Sequence, residues 1–327
     1  MAMSSPTSTS DTLVTIFGGS GFLGRHVVRA LAPELWRMRV AVRRPDLAGH
    51  LQPLGRVGQI HAVQANLRNA ESVENAVRDA DVVINLVGVL FESGKQSFEA
   101  VHVEGAANVA RAAAARGARL IHVSAIGADP AASALYARTK GRAEEAVLAA
   151  APDAVILRPS VIFGPDDAFF NKFAAMARIA PALPLIGGGR TKFQPVFAGD
   201  VAEAVRKAVD GEVAPGVYEL GGPDVASFKE LMRLVLDITQ RRRLLLPVPF
   251  WAAKLLGRVL SILPTPPLTP DQVELLKTDN VVSEAAIRDN RTLAGLGIEA
   301  RTMAAVVPSY LWRFRKTGQF KSRRSLA

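Results

Sequence analysis

The sequence predicts an α/β protein with a doubly wound parallel sheet and a smaller, mostly helical C-terminal lobe. Three observations carry this reading. Short apolar runs alternate with alanine-rich helical stretches through the first half of the chain. The first of these runs enters a glycine-spaced turn that leads straight into a helix. Past about residue 165 the rhythm loosens, and proline and glycine become frequent in stretches such as PALPLIGGG.

In chain order, residues 1–11 (MAMSSPTSTSD) are small and polar, which predicts a flexible tail. They contain neither the apolar core of a secretory signal nor the arginines of a mitochondrial transit sequence. The run LVTIFGGSGFLG then gives a strand, a turn and a helix start. Gly18 lets the chain turn tightly, Gly21 lets the backbone approach a pyrophosphate, and Gly24 lets the helix pack closely against the sheet. The helix amino end, with unpaired N–H groups and partial positive charge, faces the phosphates. These features predict a Rossmann-type dinucleotide site opening a domain over residues 12–165; the alternative is a glycine-rich turn whose pocket is empty.

The second strand, MRVAVRRP, refines the cofactor. An NAD site usually ends this strand in a carboxylate that holds the ribose hydroxyls, but here Arg43 and Arg44 stand at that point. Guanidinium pairs with a 2′-phosphate and stacks on adenine, so the expected cofactor is NADPH, with NADH disfavoured. The alternative is that both arginines only solvate a strand end.

The strands QIHAV, DVVINLVG, RLIHVSAIG and AVILRPS follow, with helices at 71–79, 97–116 and 138–151. Ligands of such sheets lie beyond the carboxyl ends of the strands, where Asn66, Gly88, Ser124 and Ser160 fall. The helix over YARTK puts Tyr136 and Lys140 on one face. An ammonium beside a phenol favours the phenolate, which exchanges a proton with a carbonyl or alcohol during hydride transfer. Ser124 would hold the reacting oxygen. Chance placement of the pair on a partly exposed helix is the other reading.

Together these motifs resemble the short-chain dehydrogenase/reductase superfamily, in its extended or atypical branch. GGSGFLG is similar to the cofactor turn, NLVG to the strand beside the adenine ribose, VHVEGAANVARAA to the central helix and LRPSVIFGP to the segment passing the nicotinamide. The resemblance implies a catalytic set of Ser124, Tyr136 and Lys140. It also implies cofactor contacts from Gly18, Ser20, Gly21, Phe22, Leu23, Gly24, Arg43, Arg44, Asn66, Leu67, Val87, Gly88, Ser124, Tyr136, Lys140, Pro159 and Ser160. Asn66 stands where many relatives carry aspartate. Only eleven residues separate Ser124 from Tyr136, which argues against the long loop that holds a sugar nucleotide.

The second lobe is expected over 166–315, with 193–212 (which contains QPVFAGDVAEAVRKAV) returning to the main sheet as a final strand and helix. Asp200, three residues before Glu203, reads as a helix amino cap with a structural role. The stretch from FGPDDAFF through LLLPVPFWAAKLLGRVLSILP resembles the Rossmann-fold nucleotide-binding accessory subunits of respiratory complex I, in a bacterial form. That resemblance covers about residues 12 to 315. It implies a structural NADPH, complex I subunits as partners, and support of assembly or stability in place of electron transfer.

A helix over 250–263 would place Lys254, Arg258 and Ser261 on one narrow face, with apolar residues over the rest, behind Arg241, Arg242 and Arg243. This suits an anionic membrane surface or a hydrophobic partner groove through residues 241–263. The alternative is packing on the small lobe with the charges snorkelling outward. Residues 316–327 read as a basic tail, bound to a partner or simply solvated.

Composition bounds the remainder. The chain has 327 residues, no cysteine and a net charge of +10. Disulfides, thiolate metal sites and cysteine nucleophiles are excluded. His26, His50, His61, His102 and His122 show no ligand spacing, so no metal is expected. The arginines are dispersed and no nucleic-acid motif accompanies them, so the charge points to nucleotide, lipid or an acidic protein face. No stretch predicts a transmembrane helix and no signal peptide is evident, so a soluble or peripheral protein is expected; the resemblance to complex I accessory subunits implies a peripheral place on the cytoplasmic side of the inner membrane. Two functions remain open: a complex I accessory subunit without independent catalysis, or an NADPH-dependent reductase or epimerase/dehydratase using Ser124, Tyr136 and Lys140.

Overall fold

The computed structural model describes residues 12–263 and 266–317. The tail expected at 1–11 and residues 318–327 of the expected basic tail lie outside the described residues. The chain divides into two compact units. One runs to Arg158 and takes in Val201–Tyr218; the other comprises Pro159–Asp200 and the chain from Glu219 onward.

The first unit is built on β1 (Leu13–Phe17), α1 (Phe22–Leu31), β2 (Arg37–Val42), β3 (Ile60–Gln64), α2 (Ala70–Val77), β4 (Val82–Asn85), α3 (Gly105–Ala115), β5 (Arg119–Val123), α4 (Leu135–Ala150) and β6 (Val155–Pro159). The sheet runs in the order β3-β2-β1-β4-β5-β6, extended beyond β6 by Gly216–Leu220. The pairings from β3 through to β6 are parallel. Strand order reverses between β1 and β4, the point at which such sheets open a ligand crevice. In register, Phe17 stands beside Ala41 on one side and Asn85 on the other.

Apolar continuity explains the strands. All five residues of β1 are buried, as expected where helices cover both faces of a parallel sheet. The alanine richness of the helices has a packing reason. Ala106, Ala110 and Ala113 of α3 share a core with Val83 and Leu120 of the sheet and with Ala143 and Val147 of α4. Small side chains allow the helices to approach the sheet closely at native packing density. The helix expected over 97–116 is wound in two ways, since Glu99–Glu104 form a π-helical stretch before α3.

The second unit holds β7 (Ile162–Phe163), α5 (Phe170–Ile179), β8 (Ala182–Ile186), β9 (Lys192–Phe193) and β10 (Val196–Phe197). After α6 (Ala198–Asp210) and β11 (Gly216–Leu220) it continues with β12 (Ala226–Ser227), α7 (Phe228–Ile238), β13 (Leu244–Val248), α8 (Phe250–Leu260) and α9 (Pro270–Leu275). Its core is aromatic, with Phe163, Phe170, Phe193 and Phe228 buried together. A Ser227–Glu230 capping box starts α7.

Two expectations are corrected. The strand within QPVF does not rejoin the main sheet: β10 pairs in parallel with β7, and β11 is the strand that completes the sheet. Asp200 is not an amino cap, because α6 begins two residues earlier. Its role is still structural. Its carboxylate accepts the Arg301 backbone N–H at 2.7 Å, and burial raises its pKa.

Candidate functional site

The glycine turn adopts the geometry a pyrophosphate requires. Gly18 has φ +80°, a left-handed conformation that disfavours any side chain, and its carbonyl accepts the Gly21 N–H at 3.0 Å. The first helical bond, Arg25 N–H to the Gly21 carbonyl, leaves the amides of Phe22, Leu23 and Gly24 without a backbone partner among the described residues. Ser20 lies in the turn itself. A Cβ on Gly24 would sit 2.4 Å from the Gly18 carbonyl oxygen and 2.5 Å from Gly19 Cα. The third glycine thus packs the helix on its own turn, not directly on the sheet as expected.

At the end of β2 the two arginines differ. Arg44 is exposed and donates to the Asp46 carboxylate at 2.9 Å, an interaction that raises its pKa. Arg43 is exposed too and has no partner among the described residues. At the end of β3, the Asn66 side-chain oxygen accepts the Arg68 N–H at 3.2 Å. Leu67 is buried, and its carbonyl accepts from the Asn108 side chain at 2.8 Å.

The reactive residues gather beyond β4 and β5. Lys140, Ser124 and half-buried Tyr136 lie on or beside α4, together with two histidines that spacing did not reveal. A methyl group on Gly88 would lie 3.9 Å from His102 Nε2 and 4.0 Å from Lys140 Nζ, which places all three at one point. His102 comes from the π-helical stretch. Its Nε2 accepts the Val89 N–H at 3.1 Å, while Thr139 Oγ1, 3.1 Å from its Nδ1, donates to the Tyr136 carbonyl. Nδ1 therefore carries the proton. The ring stacks on Phe98 and meets Tyr136 edge-on at 5.4 Å between centroids.

His122 is held from the other side. The Asn85 side-chain oxygen accepts the Val87 N–H, so its amide nitrogen faces His122 Nδ1 at 3.2 Å and donates to it. The proton of His122 is then on Nε2, which is buried without a hydrogen-bond partner among the described residues. Ser124 Oγ is likewise buried and unpartnered among them. Two orphaned polar atoms beside a buried lysine mark a place built to receive polar atoms from outside the chain.

Electrostatics correct one sequence expectation. Lys140 donates to the Val123 carbonyl at 2.9 Å, and burial lowers its pKa to about 8 against the pull of Glu144. Tyr136 is pushed up to about 12 by burial, so its phenol is not shifted toward phenolate. Burial, then the Lys140 charge, lowers His102 to about 3 and drives His122 well below its ordinary value. Both imidazoles are neutral at physiological pH. Pro159 is the last residue of β6, and Ser160 is engaged elsewhere, its hydroxyl donating to the Asn280 side chain at 2.6 Å.

These residues fit a dinucleotide. The bare α1 amides suit phosphate oxygens, Arg43 is free for an anion beyond β2, and Lys140, Ser124 and His122 offer polar atoms at the far end of the crevice. Sequence reasoning missed His102, His122, Asn85 and Thr139 because they come from separate elements at irregular spacing.

Residues 14–221 match the NAD dependent epimerase/dehydratase family. The chain is 35% identical to the NADH dehydrogenase [ubiquinone] 1 alpha subcomplex subunit 9 of Arabidopsis thaliana, over 95% of this chain and 80% of that protein. It is 37% identical to the ceramide reductase of Caulobacter vibrioides, over 53% of this chain and 54% of that protein. Among solved structures, the Bordetella bronchiseptica enzyme WbmH in complex with NAD+ aligns with a TM-score of 0.69 at 17% identity, covering 94% of this chain and 99% of that one. With a glycine turn, a gathered serine, tyrosine and lysine, and a match that runs on through the second unit, the chain belongs to the NAD dependent epimerase/dehydratase family and, within it, is a homologue of the alpha subcomplex subunit 9 proteins of respiratory complex I.

Proposed function

We propose that the chain is an NADPH-binding accessory subunit of respiratory complex I, in a bacterial form, that supports assembly or stability of the complex and does not carry its electrons. The observation that carries this reading is the extent of the similarity to the plant subunit. It spans 95% of the chain and includes the lobe beyond the shared cofactor fold. A structural nucleotide fits a site in which Lys140 is engaged by a backbone carbonyl and Tyr136 holds its proton. Bound tightly, NADPH stabilises the folded state as the logarithm of its concentration over its Kd, with no chemistry needed. Preference for NADPH over NADH rests on Arg43. The protein would sit on the cytoplasmic side of the inner membrane, using residues 241–263 as its membrane-facing surface.

Tagging the chain in its native host, extracting membranes with mild detergent and identifying co-purifying proteins tests the proposal. Near-stoichiometric complex I subunits are expected, and recovery of the chain alone from the soluble fraction would overturn it.

A second reading is an NADPH-dependent reductase, favoured by the gathering of Ser124, Tyr136 and Lys140 and by the ceramide reductase relative. Tyr136→Phe separates the two. Loss of a measurable carbonyl reduction with complex assembly intact supports the enzyme, whereas an absence of reduction in both proteins supports the accessory role.

A further inference from the structure

In the second unit, a cavity of about 450 Å³ is lined by four arginines, Arg233, Arg241, Arg242 and Arg243, with Asp237 as its only acidic residue. The arginines divide into two kinds. Arg241 donates through Nε to the Phe314 carbonyl at 2.9 Å, and Arg243 donates likewise to the Ala177 carbonyl in the last turn of α5 at 2.8 Å. These two are half-buried and fixed as walls, a placement that also suits the negative end of a helix. Arg233 and Arg242 are exposed and make no side-chain hydrogen bond or ion pair among the described residues, the Arg233 charge being felt only by Glu230 one turn earlier. Burial and the neighbouring guanidiniums of Arg243 and Arg178 lower the pKa of Arg241. The cluster thus carries more positive charge than Asp237 and Glu230 offset among the described residues.

The chain next to the cavity is apolar and uncovered. Leu244 and Leu246 of β13 are exposed, as are Trp251 (74%), Leu255, Leu256 and Val259 of α8 and Ile262 (85%) beyond it. Packing places this apolar surface outward. α8 turns Ala253 and Gly257 inward, where a Cβ on Gly257 would lie 3.0 Å from Pro270 N, and Lys254 pairs with Glu274 of α9 at 3.2 Å. The helix therefore packs through a small-residue face, keeps Lys254 half-exposed beside Glu274 and Arg258 exposed, and turns most of its large apolar side chains outward.

We infer that this cavity seats the phosphate headgroup of an acidic phospholipid, with β13 and α8 lying in the interfacial layer beside it. The inference rests on the membrane-facing surface proposed above and assigns its specificity to four guanidiniums. Charge complementarity selects the occupant: planar guanidinium donors match phosphate oxygens, and apolar side chains flank the site where acyl chains begin. A protein partner would have to match both features at once, an acidic group and a broad apolar strip.

The test is co-sedimentation of the full chain with vesicles of phosphatidylcholine alone and of phosphatidylcholine with phosphatidylglycerol, comparing the wild type with an Arg233→Gln/Arg242→Gln variant. That variant leaves the two pinned arginines in place, and unchanged NADPH binding and melting temperature certify its fold. The wild type is expected to bind only the acidic vesicles, and the variant to lose roughly thirty-fold in partitioning. Asp237→Asn should strengthen binding. Equal binding by wild type and variant would overturn the cavity while leaving the membrane surface standing. Failure of the wild type to bind any vesicle would overturn both. Displacement from acidic vesicles by millimolar inorganic phosphate, but not by chloride at equal ionic strength, would reassign the site to free phosphate and overturn the lipid.

Discussion

The Lys140 ammonium donates to the Val123 carbonyl at 2.9 Å, at the carboxyl end of the strand next to β4. That bond satisfies one of three ammonium protons inside the protein, where desolvation already brings the pKa to about 8. The folded state therefore prefers neutral lysine more than the unfolded chain does. Between pH 8 and 10 the unfolded state binds the extra proton, so stability rises with pH in that window. The gain approaches roughly 1.4 kcal/mol per pH unit. Chemical denaturation of nucleotide-free protein at pH 8, 9 and 10 measures it. Lys140→Met should abolish the rise, and an unchanged slope would remove Lys140 from the account.

The histidines act at the acid end. His102 has its pKa lowered to about 3, so protonation of the unfolded chain from pH 6.5 downward is not matched in the native state. Stability contributed by the neutral ring is complete above pH 6.5 and falls as pH drops toward 3, by up to roughly 1.4 kcal/mol per unit for this one residue. His122 adds to the same slope. His102→Gln keeps an acceptor for the Val89 N–H and removes the titration. Urea midpoints at pH 7, 5 and 4 should fall less steeply in that variant, and parallel curves would refute the assignment.

What the sequence made legible follows physical range. The glycine turn, the strands and the tyrosine–lysine pair are local patterns, fixed by φ, by apolar runs and by i,i+4 spacing, and the structure places them accordingly. The relation of Lys140 to Tyr136 was not legible, because adjacency on a helix does not say which acceptor an ammonium takes. Val123 offers one from a strand 17 residues away in the chain. The His102–Thr139 and His122–Asn85 pairs each join residues 37 apart. Such pairings depend on sheet order. β10 was misread for the same reason, since two residues of strand pattern do not reveal a partner.

Gly24 has a sharper requirement than the other turn glycines. A side chain there would have to displace the backbone of Gly18 and Gly19, which cannot move without opening the turn. Gly24→Ala is expected to destabilise the protein by more than about 2 kcal/mol and to abolish nucleotide binding. Gly49, with nothing within 4 Å of an added Cβ, is the control. Thermal melts of both variants with and without NADPH decide it: similar melting temperatures for Gly24→Ala and Gly49→Ala would mean that the turn tolerates the methyl.

The two arginines after β2 make unequal contributions, because Arg44 shares its guanidinium with Asp46 whereas Arg43 has no partner among the described residues. An incoming 2′-phosphate meets Arg43 without having to break an ion pair, and the Asp46 carboxylate opposes it. Arg43→Ala should therefore weaken NADPH by roughly tenfold, the worth of one charge-assisted pair, with NADH nearly unchanged. Arg44→Ala should cost less, since the Arg44 guanidinium is already committed to Asp46, and Asp46→Asn should tighten NADPH. Titration of both nucleotides into the three variants gives the comparison. Equal weakening of NADPH and NADH by Arg43→Ala would sink the phosphate assignment, and with it the argument that the chain selects NADPH.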